Sequence, residues 1–335
     1  MKLLIDLLGS DMGSTEIVKG VINSLDNTKF NFILVGPEIE ARNVLKENNI
    51  RLDRFEFIDT DVYITNEEDP ARSLRRKKDS SIVLGLNRLN EEGDGFLSAG
   101  STGALLAGGI FITKRFTGVL RSTLATFIPN QKGKSTLLVD TGGVVDSKPE
   151  MLNQFATMAY ITAQKYMNIE KPKVYLANVG VEKGKGDSLT KETYALLEEN
   201  DKINFMGNIE ARDFLTGKAD IIVADGFAGN MMLKASEGAA SVLFGEIKEQ
   251  VQSSFRAKIG ALILKPFLKK IKDKYDYKKV GAGIMLGLNK PIFKAHGSSD
   301  KEAIEHAIYR AEEFINSKIN ENLEGKLWLE KELLI

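Results

Sequence analysis

Short apolar runs alternate along this chain with longer segments whose apolar positions recur every three or four residues. Buried strands and amphipathic helices produce those two periods, and their alternation is the pattern of a parallel sheet covered by helices. The runs predict strands over residues 3–5, 32–35, 54–58, 95–97, 137–139, 173–178, 204–205 and 221–224. The amphipathic segments predict helices over 15–25, 38–48, 104–113, 149–167, 189–199 and 230–252. The clearest junction is FNFILVG at 30–36, with Pro37 placed for the first turn of the next helix. No Pro/Gly/Ser-rich linker interrupts the series, so residues 1–335 are expected to form one α/β unit of two intertwined lobes.

Residues 255–275 break that pattern. Phe255, Ile259, Leu262 and Ile263 fall on one helical face; beyond Pro266 the apolar positions are Phe267, Leu268, Ile271 and Tyr275. The two sets do not share a stripe, so Pro266 is expected to kink or end the first helix. Seven basic residues lie from Arg256 to Lys274, which makes the segment a basic amphipathic element protruding from the α/β unit. Two readings of it stand side by side. One is contact with an anionic membrane surface through Leu262, Ile263 and Phe267. The other is a helix packed in the core or at a dimer contact, with its lysines solvated.

Candidate chemistry gathers at strand ends. SAGSTGALLA at 98–107 sets Ser101 and Thr102 between two glycines, just before an apolar helix. A helix start has unsatisfied N–H donors and partial positive charge, which suits a phosphate or carboxylate. Asp140-Thr141-Gly142-Gly143 follows the run 136–139, and Asp225-Gly226-Phe227-Ala228-Gly229-Asn230 follows 221–224. A single loop of this kind reads first as a capped turn. Three of them on the ends of buried strands describe a site.

Composition narrows the chemistry further. The absence of cysteine excludes disulfides, thiolate nucleophiles and cysteine-bound metals, and two histidines exclude a histidine-rich metal site. Asp6, Asp11, Asp140, Asp146 and Asp225 end strands as helix caps commonly do, so no metal is assigned. Lys plus Arg equals Asp plus Glu at 46 each, and no global field favours nucleic acid. The start, MKLLIDLLGSD, is too short and acidic for a signal peptide, and no run of 18 apolar residues occurs, so a cytoplasmic location is expected. Gly9-Ser10-Asp11-Met12-Gly13 does not match a dinucleotide fingerprint, and no cofactor is expected.

Taken in order, these loops resemble those of the PlsX family, the phosphate acyltransferases of bacterial phospholipid synthesis, from Ile5 to about Ala311. LIDLLGSDMGS at 4–14 is similar to the family opening AVDAMGGDHAP, keeping Asp6, Gly9 and Asp11. SLRRKKDSSI at 73–82 resembles ALRRKKDSSM, and SAGSTGALLA resembles SAGNTGALLA. DTGGVVDSKPEML at 140–152 looks like DVGANVDCKPEHL, and NVGVEKGKGD at 178–187 like NIGEEETKGN. FMGNIEARD at 205–213, DGFAGNMMLK at 225–234 and AHGSS at 295–299 complete the series. The resemblance implies a reaction in which acyl-ACP and inorganic phosphate give acyl phosphate and free carrier protein. It implies the fold of phosphotransacetylases and isocitrate-dehydrogenase-like enzymes, with a cleft between the lobes, and neither a redox cofactor nor a covalent acyl-enzyme. The expected partners are acyl carrier protein, inorganic phosphate, a membrane-bound glycerol-3-phosphate acyltransferase, an anionic membrane surface and a second copy of the chain.

Phosphate attacking a thioester needs an anion cradle, cationic charge and donors at the developing oxyanion. Ser101, Thr102 and Gly103 suit the cradle, Lys148 and Lys185 the cations, and Asn178, Asn208 and Asn230 the donors. His296, followed by Gly297 and Ser298, suits polarisation or protonation of the leaving thiolate, and equally a turn before the helix near Asp300. His306 reads as a solvated helix residue. Lys185, His296 and Asn230 are therefore the candidate catalytic groups, with Asp140, Asp146 and Asp225 completing the candidate phosphate and substrate site beside Ser298. Met12 stands where the family has histidine and Ser101 where it has asparagine, and YKKVGAGIMLGL at 277–288 is a reduced approach to the last strand. These departures leave open a phosphotransacetylase-type enzyme using acyl-CoA and a catalytically weakened scaffold that recruits partners to the membrane.

Overall fold

The computed structural model of this chain describes residues 1–275, 281–320 and 323. Its strands are β1 (Lys2–Asp6), β2 (Asn31–Gly36), β3 (Phe55–Asp59), β4 (Gly95–Ser98), β5 (Thr123–Pro129), β6 (Ser135–Val139), β7 (Lys173–Ala177), β8 (Asn204–Ile209), β9 (Ile221–Val223), β10 (Ala282–Leu286) and β11 (Ile292–Ala295). Its helices are α1 (Ser14–Ser24), α2 (Glu38–Glu47), α3 (Pro70–Arg76), α4 (Ser81–Glu92), α5 (Thr102–Gly108), α6 (Pro149–Lys165), α7 (Ser188–Glu199), α8 (Gly226–Gln252), α9 (Phe255–Lys274) and α10 (Lys301–Asn316).

Among the described residues the strands form one sheet in the order β3-β2-β1-β4-β11-β10-β5-β6-β9-β7-β8. β3, β2, β1, β4 and β11 run parallel, and so do β6, β9, β7 and β8. Between them β10 and β5 pair antiparallel with every neighbour, so the two parallel wings run in opposite directions. The class is the expected one, α/β with a mostly parallel sheet flanked by helices. The antiparallel centre was not foreseen.

The strands are continuous apolar runs because helices cover both faces of the sheet. Leu3 and Ile5 pack with Phe32, Leu97, Ile304 and Phe314 on one side, whereas Leu4 packs with Ile33, Leu86 and Phe96 on the other. This is the period of two that a pleated strand imposes. Each such fully buried Leu or Phe contributes roughly 1.5–3 kcal/mol. β11 returns the end of the chain to β4, and α10 lies on α1 so closely that a Cβ at Gly20 would sit 2.6 Å from the Ile304 side chain.

Some elements differ from the sequence pattern. The helix expected over 104–113 starts at Thr102 and passes after Gly108 into a π-helical turn, Gly109–Thr113. α8 starts at Gly226, ahead of the expected 230, because the Asp225 carboxylate accepts the Phe227 and Ala228 amides at 2.8 Å. α9 runs through Pro266 without the expected break. Proline removes one backbone hydrogen bond, and this helix is exposed, so the carbonyl it frees is open to solvent. Residues 277–280 of the segment 277–288 lie outside the described residues. No helix among the described residues is long and apolar enough to cross a membrane.

Candidate active site

The first turns of α8 carry the groups that join the two wings. Gly229 lets the helix approach β6: a Cβ there would lie 1.8 Å from the Asp140 carbonyl oxygen, which no side chain tolerates. That approach puts Asn230 beside Gly142, whose φ of +119° favours glycine. Lys234 lies four residues further, on the same face of α8. Its ammonium stands 3.1 Å from His296 Nε2 and 2.9 Å from Glu237. A side chain from the second wing thereby meets a loop of the first.

The Lys234 ammonium can only donate, so its contact with Nε2 favours the neutral His296 tautomer protonated on Nδ1. Nδ1 lies 2.8 Å from Ser298 Oγ, to which it donates when protonated, and Nε2 then accepts from Lys234. Only with the proton on Nε2 would Nδ1 accept the Ser298 amide, at 3.2 Å. Loss of solvent around the ring and the facing Lys234 ammonium hold its pKa below the usual histidine range. The ring is therefore neutral near pH 7.

The floor beneath this pair belongs to the first wing. Gly9, at φ +76°, passes so close to Gly100 that a Cβ would sit 2.9 Å from the Gly100 Cα. The Ser10 hydroxyl and the Asp11 amide both donate to the Gly297 carbonyl, at 3.0 and 2.9 Å. Three loops, 9–11, 98–103 and 296–298, are thus tied together. Ser101 Oγ accepts the Ala104 amide as the cap of α5, and Thr102 and Gly103 form its first turn. Buried Asp6 accepts Ser98 Oγ at 2.7 Å, and burial pushes its carboxyl up to about 6. Lys294 donates to the Ala99 carbonyl at 3.1 Å and to the Ala295 carbonyl, and burial brings its ammonium down to about 8 against the opposing pull of Asp6. Lys294 therefore fastens the 98–103 loop to the strand that carries His296.

In the second wing an open cleft of about 600 Å³ lies between β7, β9 and the start of α8, lined mainly by Leu152, Leu176, Ala211, Ala224, Ala228 and Met232. Asn178 and Asp225 sit at its polar rim. Asn178 Nδ2 donates to the Lys185 carbonyl at 3.0 Å, and buried Asn208 donates to the Glu182 carbonyl at 2.9 Å. The two asparagines so place the 179–187 loop. The Lys185 ammonium itself has no hydrogen-bond or ion-pair partner among the described residues.

Of the candidate acids, Asp140 is fully buried and its carboxylate accepts the amides of Leu124, Gly142, Gly143 and Val144 at 2.6–3.2 Å. Burial raises its pKa despite those four donors. Asp140 shapes the 140–144 loop and Asp225 caps α8, which are the roles a strand-end aspartate ordinarily has. Asp146 and Lys148 are exposed on the following loop, Lys148 at the start of α6. Nothing among the described residues brings these two against Lys234 or His296. No group of three or more His, Asp or Glu able to hold a metal occurs among the described residues.

This arrangement can be set beside known proteins. A family model described as fatty acid synthesis protein matches residues 1–322. A phosphate acyltransferase of Brevibacillus brevis is 41% identical over 98% of this chain and 97% of its own length. One of Clostridium botulinum is 44% identical over 95% of this chain and 96% of its own. The chain belongs to the PlsX family of phosphate acyltransferases. A phosphotransacetylase of Streptococcus pyogenes shares the fold, with a TM-score of 0.62 at 16% identity over 95% of this chain and 94% of that one. The eight family-like motifs thus sit on a fold shared with phosphotransacetylases.

Sequence reasoning passed over Lys234 and Lys294. Lys234 closes the motif DGFAGNMMLK, and counting one helical turn from Asn230 puts both on one face. Lys294 lies inside a four-residue apolar strand and had no comparable signal.

Proposed function

We propose that this chain transfers a fatty acyl group from the thioester of an acyl carrier protein to inorganic phosphate, giving acyl phosphate for phospholipid synthesis. As a member of its family the chain is an acyltransferase with phosphate as acceptor. Full-length kinship to phosphate acyltransferases is the observation that carries this reading. The donor is the proposal's own step, and it is tested by comparing acyl phosphate formation from carrier-bound and CoA-bound acyl groups. A higher kcat/KM for the carrier-bound thioester is expected; a preference for CoA thioesters overturns it.

In the mechanism we assign, a phosphate oxygen forms a C–O bond at the thioester carbonyl and the C–S bond breaks. HPO₄²⁻ loses its proton and the departing thiolate gains one, so the step balances with no other reactant. Phosphate rests at Ser101–Gly103, the acyl chain in the apolar cleft, and Asn230 and Lys185 serve the developing oxyanion. Lys234 offsets the thiolate's charge, and neutral His296 takes the proton that phosphate loses and passes it to the thiolate. Thr102→Val removes one donor while keeping shape, so phosphate binding weakens by about 1–2 kcal/mol, read as a raised phosphate KM. An unchanged phosphate KM would place the cradle elsewhere.

Two associations belong to the same proposal. α9 exposes Phe255, Leu262, Ile263 and Phe267 among lysines, which supports binding to an anionic membrane surface and delivery of acyl phosphate to a membrane-bound glycerol-3-phosphate acyltransferase. Each lysine near such a surface adds about 1 kcal/mol, so binding weakens as salt rises. Replacing Leu262, Ile263 and Phe267 by Ser should release the protein from anionic vesicles with its activity in solution kept. If the triple variant still sediments with them, the helix has another partner. Phe227, Met231 and Val242 share an exposed face of α8, which supports a homodimer formed there.

A further inference from the structure

The basic stretch 73–82 has no part in the mechanism above, yet it lies beside the phosphate cradle. Arg72, Arg75 and Arg76, at positions i, i+3 and i+4 of α3, share one exposed face, and exposed Lys78 follows in the turn. None of these four side chains has a hydrogen-bond or ion-pair partner among the described residues. Neighbouring acids are otherwise engaged. Glu68 holds the Lys77 ammonium at 2.7 Å, Ser73 Oγ and the Thr65 amide, and Lys77 together with these donors brings its carboxyl down to about 2. Asp69 caps α3 through the Arg72 amide. Exposed Asp79 offsets the patch only in part. A chain with no net charge therefore concentrates positive charge on one small face.

That face is joined to the site. Pro70, the first residue of α3, packs on the cradle: a Cβ at Gly103 would lie 2.8 Å from its Cγ. The loop leading into α3 forms one wall of a cleft of about 340 Å³, through Tyr63, Thr65 and Asn66, with Ser10, Asp11 and Ser101 opposite. Ser10 is the residue tied to the 296–298 loop. Through Pro70 and the 63–66 loop, the helix that bears the basic face thus adjoins both the cradle and this polar cleft.

We propose that the basic face of α3 docks the acidic protein that carries the acyl thioester, and that the polar cleft receives the arm joining that thioester to its carrier. This rests on the carrier-bound donor argued above. Charge complementarity selects the partner. An amphipathic membrane helix exposes apolar side chains, as α9 does; α3 buries Leu74, and its exposed residues are Arg72, Arg75 and Arg76. A rim of unpaired cations steers an acidic protein and sets its register, with an effect that salt screens.

The test compares the full chain with the variant Arg72→Glu, Arg75→Glu, Arg76→Glu, its folding checked by thermal melting. The KM for acyl carrier protein should rise about tenfold or more, as loss of electrostatic steering entails, with kcat and the phosphate KM unchanged. The salt dependence of kcat/KM should flatten. The corresponding triple Lys variant should behave as wild type, and a triple Gln variant should show a smaller rise in KM, which serves if the Glu variant does not fold. An unchanged carrier KM in folded Glu or Gln variants overturns the docking site. So does a variant that loses anionic vesicles and keeps its carrier KM, since that assigns the face to lipid. Wild-type protein that uses acyl-CoA and ignores acyl carrier protein overturns the donor instead, and is distinguishable because it appears before any substitution is made.

Discussion

Replacing Lys234 by methionine should lower turnover about a hundredfold or more, the loss seen when one preorganised electrostatic partner is removed from a reacting centre. Methionine keeps the length and apolar stem of the side chain, so the α8 face stays filled while the charge goes. Lys234 is the group that crosses from one wing to the other, 3.1 Å from His296. In the proposed mechanism the departing thiolate then loses the cation paired with His296, and His296 loses the donor that favours its Nδ1-protonated tautomer. The measurement is kcat at saturating donor and phosphate, with a melt to show the fold intact. Turnover near wild type would reduce Lys234 to its pairing with Glu237, an exposed ion pair of small energetic weight.

Lys185→Ala should also lower turnover, roughly a hundredfold, by removing an uncommitted cation from the loop whose Gly186 and Asp187 line the apolar cleft. Two lysines of one loop differ in their partners. Lys183, two residues earlier, is engaged by Glu198 at 2.5 Å and lies 5.4 Å from the Tyr194 ring centre. Lys185 has no such partner, yet its backbone is pinned by Asn178. An ordered backbone presenting an uncommitted ammonium is what a substrate anion needs. Lys183→Ala is therefore the control, expected to leave kcat unchanged. Equal losses in the two variants would mean that loop disorder, and not the Lys185 charge, causes the effect.

The sequence announced the parallel wings because their inner strands are buried on both faces, and unbroken apolar runs such as 32–35 have no other economical reading. It did not announce the centre. Thr123–Pro129 reads as a mixed segment, Ala282–Leu286 contains Gly283, and Ile292–Ala295 is four residues long with a lysine among them. These strands owe their place to pairing with partners far along the chain, which local pattern does not record. The candidate site divided in the same way. Ser101, Asn178 and Asn230 were legible from loops at strand ends, whereas the Lys234–His296 contact required knowing that the last strands return to the first wing. Asp140 and Asp225 were legible both as strand-end caps and as site candidates, and their hydrogen bonds show oxygens that accept backbone amides.

The central claim is that phosphate, and not water, takes the acyl group. Single turnover with oxygen-18-labelled phosphate and acyl carrier protein thioester, followed by mass spectrometry of the quenched products, tests it most directly. The account predicts acyl phosphate that retains the label, formed in step with the release of free carrier protein. Carrier release accompanied by unlabelled fatty acid, with no labelled acyl phosphate at any time point, would contradict it.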